Sequence, residues 1–224
     1  DISELNPTTF RSPFLPVSFG VLAGREKNDL LDVTRKTSIH DYHVEMLAKF
    51  ENVGQWKRPW YYPVQSESIS AAVSRECLAV RKFVGIMDGS TLGKIEISGT
   101  DSIEFLNRIY TNSFSNLDIG KVKYGVMCRD DGMVFDDGTI TRLSKYKYLI
   151  TTTTGNAASV MDWLEEWLQT EWPNLNVFCT SVTDYWATII VSGPLARNVL
   201  KDVFKENNFD NNKFSFMEFQ EIVF

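Results

Sequence analysis

The chain has 224 residues, of which 43% are hydrophobic and 23% charged, enough to bury the core of one large domain or two small ones. A formal net charge of −6 disfavours nonspecific binding to nucleic acid, which requires a basic face. Since no run approaches about 18 uninterrupted apolar residues, no transmembrane helix is predicted. We therefore expect neither nucleic acid nor a membrane among the partners.

The cysteines and histidines give no sign of a metal site. The three cysteines are widely spaced and form no Cys-x-x-Cys pair, and the two histidines lie far from them (Cys77, Cys128, Cys179, His40, His43). An odd number of scattered cysteines is typical of reduced thiols, so a cytoplasmic protein without bound metal is expected. The two histidines are interpreted as surface or packing residues.

Residues 1–65 differ in composition from the rest of the chain. They are predicted to form an extended segment and linker that packs on a domain spanning residues 66–224. Pro13 and Pro16 favour extended backbone, and a short helix is predicted at Asp41–Phe50. The aromatic and basic cluster at Trp56–Tyr62 is interpreted as a partly buried loop or an interface with another subunit, with base stacking on nucleic acid as the alternative.

From residue 66 onward, helices and strands alternate along the chain. Ser68–Phe83 is predicted to be a helix with Ser68 as its N-cap, because apolar residues recur every three or four positions. The same spacing predicts a helix at Gly155–Trp172. Further predicted elements are the strands Gly93–Ser98, Lys147–Thr153, Asn176–Thr180 and Trp186–Val191 and the helices Thr100–Ile109 and Pro194–Phe204. This order predicts an α+β fold with helices packed on a largely antiparallel sheet.

Two Asp-Asp-Gly triplets stand six residues apart in the middle of the chain. The first, Asp130–Gly132, is typical of a hairpin turn, because Asp and Gly tolerate positive φ. The second, Asp136–Gly138, follows apolar residues in a strand-like stretch. A carboxylate buried there is costly unless it has a partner or a function. From the residues alone, the end of a strand and a functional site are equally open interpretations.

Five segments add a resemblance to a known family. In chain order they are Gly85–Leu92, Ile97–Leu106, Tyr110–Asn112, Tyr124–Asp137 and Ile189–Pro194. Over Val84–Leu200 they resemble the folate-binding aminomethyltransferases, the family founded by the T-protein of the glycine cleavage system. The resemblance implies a glycine cleavage T-protein-like folate-binding fold. Since family members are longer, it also implies that the C-terminal part of that fold lies beyond Phe224.

Four segments narrow the resemblance to one branch of the family. Gly54–Tyr62, Asp88–Ile95, Thr151–Asn156 and Trp163–Trp167 are similar to the C-terminal region of heterotetrameric sarcosine oxidase α subunits. This implies tetrahydrofolate-dependent transfer of an aminomethyl or methylene unit that arises from the oxidative demethylation of sarcosine. The implied partners are tetrahydrofolate and the other oxidase subunits. Flavin and NAD are implied only in the parent complex, because the chain carries no nucleotide-binding fingerprint.

The resemblance also implies a set of site residues. Asp136 matches the first Asp of the family's Asp-Asp pair and is implied to be catalytic, holding the accepting amine and taking up its proton. Leu92 stands where the T-protein has Met, Thr152 where it has Asn, and Tyr124 matches a tyrosine of the pocket. Because other folate contacts of the family would lie past Phe224, this chain alone is expected to bind folate poorly.

Two other classes of function stay open from the sequence. One is a folate-dependent demethylase or a T-protein-like aminomethyltransferase. The other is a non-catalytic folate-fold module that assists assembly. Substitution of Asp136 separates them, because a transferase or demethylase needs its carboxylate and a scaffold does not.

Overall fold

The structure is a computed structural model that describes residues 33–205 and 207–222. The helices are α1 (His40–Glu45), α2 (Ile69–Lys82), α3 (Ser102–Ile109), α4 (Ala157–Thr170) and α5 (Ala196–Val203). The strands are β1 (Arg35–Lys36), β2 (Lys49–Val53), β3 (Trp56–Tyr61), β4 (Gly85–Asp88), β5 (Gly93–Ser98), β6 (Val122–Cys128), β7 (Val134–Ser144), β8 (Lys147–Thr152), β9 (Phe178–Ser181) and β10 (Ile189–Ser192).

The strands form three sheets. A five-stranded antiparallel sheet has the order β6-β7-β8-β5-β9 and carries the central part of the chain. The strands β4 and β10 pair antiparallel, and β3 lies between β2 and β1, with the pairing to β1 parallel. The predicted α+β class with largely antiparallel sheet is confirmed.

The core lies between one face of the five-stranded sheet and the helices α3 and α4. Alternation along a strand sends every second side chain to the same face, and the buried isoleucines of β5, β7 and β8 follow that rule. The helices contribute residues three or four positions apart. The core residues from these elements include Ile95, Ile97, Ile140, Ile150, Phe105, Leu106, Val160 and Leu164. None of the helices in the described part of the chain is long and apolar enough to cross a membrane.

Most predicted elements are confirmed to within a few residues. In α2, a local capping signal in the sequence explains why the start of the helix could be predicted. Its N-cap is Ser68, whose hydroxyl accepts a hydrogen bond from the Ala71 N–H at 3.3 Å. This bond satisfies one of the N–H groups that the first turn of a helix leaves without a partner. The signal is local, so the sequence was sufficient to place it.

The prediction for residues 41–62 was wrong in two places. The helix ends at Glu45, and Leu47 takes a φ of 58°, after which β2 begins at Lys49. The cluster at Trp56–Tyr62 is not a loop, since Trp56–Tyr61 forms β3 and pairs with β2. The hairpin closes through Gly54 at a φ of 58°, a conformation that favours glycine. The division of the chain at residue 65 stays a prediction.

Candidate functional site

The second Asp-Asp-Gly triplet lies in β7, beyond the last registered pair between β7 and β8. Both strands lie wholly within the described residues. Their paired residues begin with Ser144 and Lys147, next to the turn between the strands, and the last pair is Ile140 and Ile150. Beyond that pair, the Thr139 N–H donates its hydrogen bond to the Thr151 hydroxyl at 2.8 Å instead of to a backbone carbonyl. The ladder between the two strands therefore ends before the triplet, although Thr151 still lies against Gly138, and we call this end of the sheet the splayed end.

Asp136 lies in this splayed region with its side chain turned away from solvent. It is 4% exposed, and its carboxylate accepts the Thr153 N–H at 3.1 Å on Oδ2 and 3.4 Å on Oδ1. Among the described residues this is the one hydrogen-bond donor that reaches the carboxylate. Because an ionised carboxylate has about four acceptor positions, Asp136 retains unused acceptor capacity for a bound molecule.

Leu92 and Thr152 come to the same end of the sheet. Gly93, the first residue of β5, pairs with Thr152, the last residue of β8. The approach is so close that a Cβ on Gly93 would lie 2.0 Å from the Thr152 Oγ1. Leu92 is therefore one residue away from the partner of Thr152, and Thr152 precedes Thr153, whose N–H binds Asp136. The structure brings three of the four predicted site residues together.

Tyr124 is placed differently from the other three. It pairs with Thr139 across β6 and β7, whereas Asp136 pairs with Met127. Since side chains alternate between the two faces of a sheet, Tyr124 and Asp136 lie on opposite faces. Tyr124 is 50% exposed. Its role in the site stays a prediction.

A buried polar chain fixes the loop between β4 and β5, which carries Leu92. The Tyr62 hydroxyl lies 2.7 Å from His43 Nδ1, and His43 Nε2 lies 3.0 Å from Asp88 Oδ2. On the loop side, Asp88 Oδ1 accepts the Ser90 N–H at 3.0 Å. Of the two interpretations of His43, packing is confirmed and a surface position was wrong, because the ring is buried.

Lys94 holds the same loop from its other side. Its Nζ donates to the carbonyl oxygens of Ser90 and Leu92, each at 2.9 Å. The side chain is buried, and burial lowers the pKa of Lys94, while the charges of Asp88 and Asp184 act in the opposite direction. Lys94 is not a predicted site residue, because a lysine in an alternating strand is typical of a solvated face.

A hydroxyl contact joins the loop to the short 3-10 turn that follows β8 and Thr153. Thr91 Oγ1 lies 3.1 Å from Thr154 Oγ1, and both residues are buried. A cavity of about 420 Å³ borders this contact and is also lined by Arg35 and Trp56, but not by Asp136. The loop, the end of β8 and Asp136 thus form one connected unit at the splayed end of the sheet.

The stability of the protein should depend on Asp88 in acid. Burial opposes ionisation of Asp88, but hydrogen bonds from Ser90 and His43 help to outweigh it and lower the pKa of Asp88. A depressed pKa in the folded state stabilises the fold above the ordinary carboxyl pKa, and this contribution is lost as pH falls through the folded value. Urea midpoints measured between about pH 2 and pH 6 should therefore fall less steeply for Asp88→Asn than for the wild type. Equal slopes would contradict the assignment.

Comparison with known proteins shows the family to which this chain belongs. The family model described as GCVT N-terminal domain matches residues 39–224. The chain therefore belongs to the GCVT N-terminal domain family, and the predicted family is confirmed.

Among the relatives, sarcosine oxidase subunit alpha of Corynebacterium sp. strain U-96 is 56% identical over 99% of this chain and 23% of its own length. The corresponding subunit of Rhizobium meliloti strain 1021 is 42% identical over 98% of this chain and 22% of its own length. The chain thus spans less than a quarter of the length of these proteins. An aminomethyltransferase of Bacillus pumilus is 36% identical over 73% of this chain and 43% of its own length.

The fold has a counterpart among solved structures. The glycine cleavage system aminomethyltransferase T from Bartonella henselae superposes with a TM-score of 0.70, at 23% identity, over 82% of this chain and 46% of its own. The predicted glycine cleavage T-protein-like fold is confirmed by this similarity.

Proposed function

We propose that this chain supplies the site at which a one-carbon unit is transferred to tetrahydrofolate within a sarcosine oxidase-type enzyme. The observation that carries the proposal is the Asp136 carboxylate, buried at the splayed end of β7 with a single donor from Thr153. The similarity to sarcosine oxidase alpha subunits over nearly the whole chain supports the choice of sarcosine as the source of the unit.

The residues around Asp136 fit a reduced pterin with an aryl amine. The free acceptor positions of the carboxylate match the N–H of such an amine, and Leu92 supplies an apolar contact beside it. Thr152 pairs with Gly93, the residue that follows Leu92. Tetrahydrofolate supplies the nucleophilic nitrogen that accepts the one-carbon unit.

Asp136 is assigned two tasks in this proposal. Its carboxylate orients the amine by accepting its N–H, and it takes up the proton that the amine loses. Its negative charge also stabilises positive charge that develops beside it in a site with little water. The Thr153 N–H keeps the carboxylate in place during both tasks.

The test uses the natural polypeptide that carries this sequence, purified with its associated subunits. Sarcosine and tetrahydrofolate are supplied together, and the expected result is methylene-tetrahydrofolate in place of free formaldehyde. Formaldehyde released at an equal yield with and without tetrahydrofolate would contradict the proposal. Folate-dependent product from another methylated donor, with none from sarcosine, would support the demethylase alternative instead.

A further inference from the structure

Tyr110 lies beside the candidate site but has no assigned part in it. It follows α3 and forms an isolated antiparallel bridge with Met127 of β6. Met127 in turn pairs with Asp136 of β7. Residues directly opposite each other in a sheet have their side chains on the same face. Tyr110, Met127 and Asp136 therefore form one lateral row on the buried face.

A glycine makes room for the Tyr110 ring beside this row. Gly125 pairs with Gly138 across β6 and β7, which is the next pair on the same face after Met127 and Asp136. A Cβ on Gly125 would lie 2.7 Å from Cδ1 of Tyr110. The ring thus lies against the bare backbone of Gly125, with Phe114 packed edge-on at 5.3 Å between centroids.

The Tyr110 hydroxyl is buried and has no hydrogen-bond partner among the described residues. A buried hydroxyl in that state costs stability, and a phenylalanine would avoid the cost. Burial raises the pKa of the Tyr110 phenol, and the nearby Asp136 carboxylate raises it further. The hydroxyl is therefore a protonated donor within electrostatic reach of a carboxylate that has free acceptor positions.

We propose that Tyr110 is a positioning residue for Asp136, whose hydroxyl donates a hydrogen bond to the carboxylate when the site is occupied. The inference rests on the proposed role of Asp136 in one-carbon transfer. The Thr153 N–H and the Tyr110 hydroxyl then hold the carboxylate from two sides. The unpaired hydroxyl is retained at a cost in stability because it acts in the occupied site.

The experiment compares Phe substitutions at two tyrosines, Tyr110 and Tyr148, whose hydroxyls are both buried without a partner among the described residues. Tyr148 is also buried with an unpaired hydroxyl, but it lies at the other end of β8 from Thr152. In the natural polypeptide with its subunits, Tyr110→Phe should lower kcat for transfer to tetrahydrofolate by about tenfold, the effect of one hydrogen bond to a charged group. KM should change little. Tyr148→Phe should leave both constants unchanged.

The melting temperature is the second readout, because it separates the loss of a contact in the site from damage to the fold. Both variants should match or exceed the wild-type melting temperature, by up to about 4 °C, since each removes an unpaired buried hydroxyl. A Tyr110→Phe enzyme with wild-type kcat, or an equal loss in Tyr148→Phe, would overturn the inference. Asp136→Asn serves as the reference. If it retains transfer, the proposed function fails, whereas if it alone loses transfer, only the role of Tyr110 fails.

Discussion

Replacing Asp136 by Asn should lower the rate of one-carbon transfer to tetrahydrofolate by roughly 100- to 10,000-fold, the range for loss of a positioned general base. The amide is the same size as the carboxylate, and its oxygen can still accept the Thr153 N–H that now lies at 3.1 Å. The fold should therefore persist while the negative charge and the capacity to take up a proton are lost. The measurement is the initial rate of methylene-tetrahydrofolate formation.

The neighbouring carboxylate is the matched control. Asp137 pairs with Val126 and lies on the opposite face of β7 from Asp136. Asp137→Asn makes the same chemical change one residue away and should leave the rate within a few-fold of wild type. If the two variants lost activity equally, the effect would come from charge or stability of the strand, and Asp136 would have no special role.

Gly138→Ala should destabilise the protein by about 3 kcal/mol or more, the cost of overpacking against atoms that cannot move aside. A Cβ at this position would lie 1.9 Å from the carbonyl oxygen of Thr151 and 2.8 Å from its carbonyl carbon. These are backbone atoms of the adjoining strand, so no side-chain rotation can relieve the contact. The free energy of unfolding from urea titration measures the loss.

Gly155 provides the control for this substitution. It lies in the short 3-10 turn Thr154–Asn156, and a Cβ on it would meet no atom within 4 Å. Gly155→Ala should change the free energy of unfolding by no more than about 0.5 kcal/mol. Comparable stability of the two variants would show that β7 and β8 do not approach as closely as described, and the account of the splayed site would need revision.

Gly138 also explains why the second Asp-Asp-Gly triplet occurs inside a strand. From the sequence, the triplet at Asp136–Gly138 was equally consistent with the end of a strand. In the structure the strand continues to Ser144, and Gly138 is required where Thr151 approaches the backbone. The same residue type therefore serves a turn in the first triplet, where Gly132 has a φ of 80°, and close strand packing in the second.

The contacts of two residues that support the site could not be predicted from the sequence. Asp88 was part of a recognised segment, but its partner His43 is 45 residues away, and no periodicity links the two. Lys94 looked like the solvated position of an alternating strand, and it is buried because its Nζ binds two carbonyl oxygens of the preceding loop. A hydrogen-bond partner distant along the chain leaves no local signal.

The sequence by itself determined the α+β class and most of the order of helices and strands after residue 66, because caps, turns and hydrophobic alternation are properties of neighbouring residues. The family followed from the resemblance of short segments to its members. Only the tertiary structure decided which face Asp136 occupies, that Tyr124 lies on the other face, and that Tyr110 shares the row of Asp136. These outcomes depend on the register between strands and on where the ladder between β7 and β8 ends. Register is set by the packing of the whole sheet, so it cannot be obtained from any one segment.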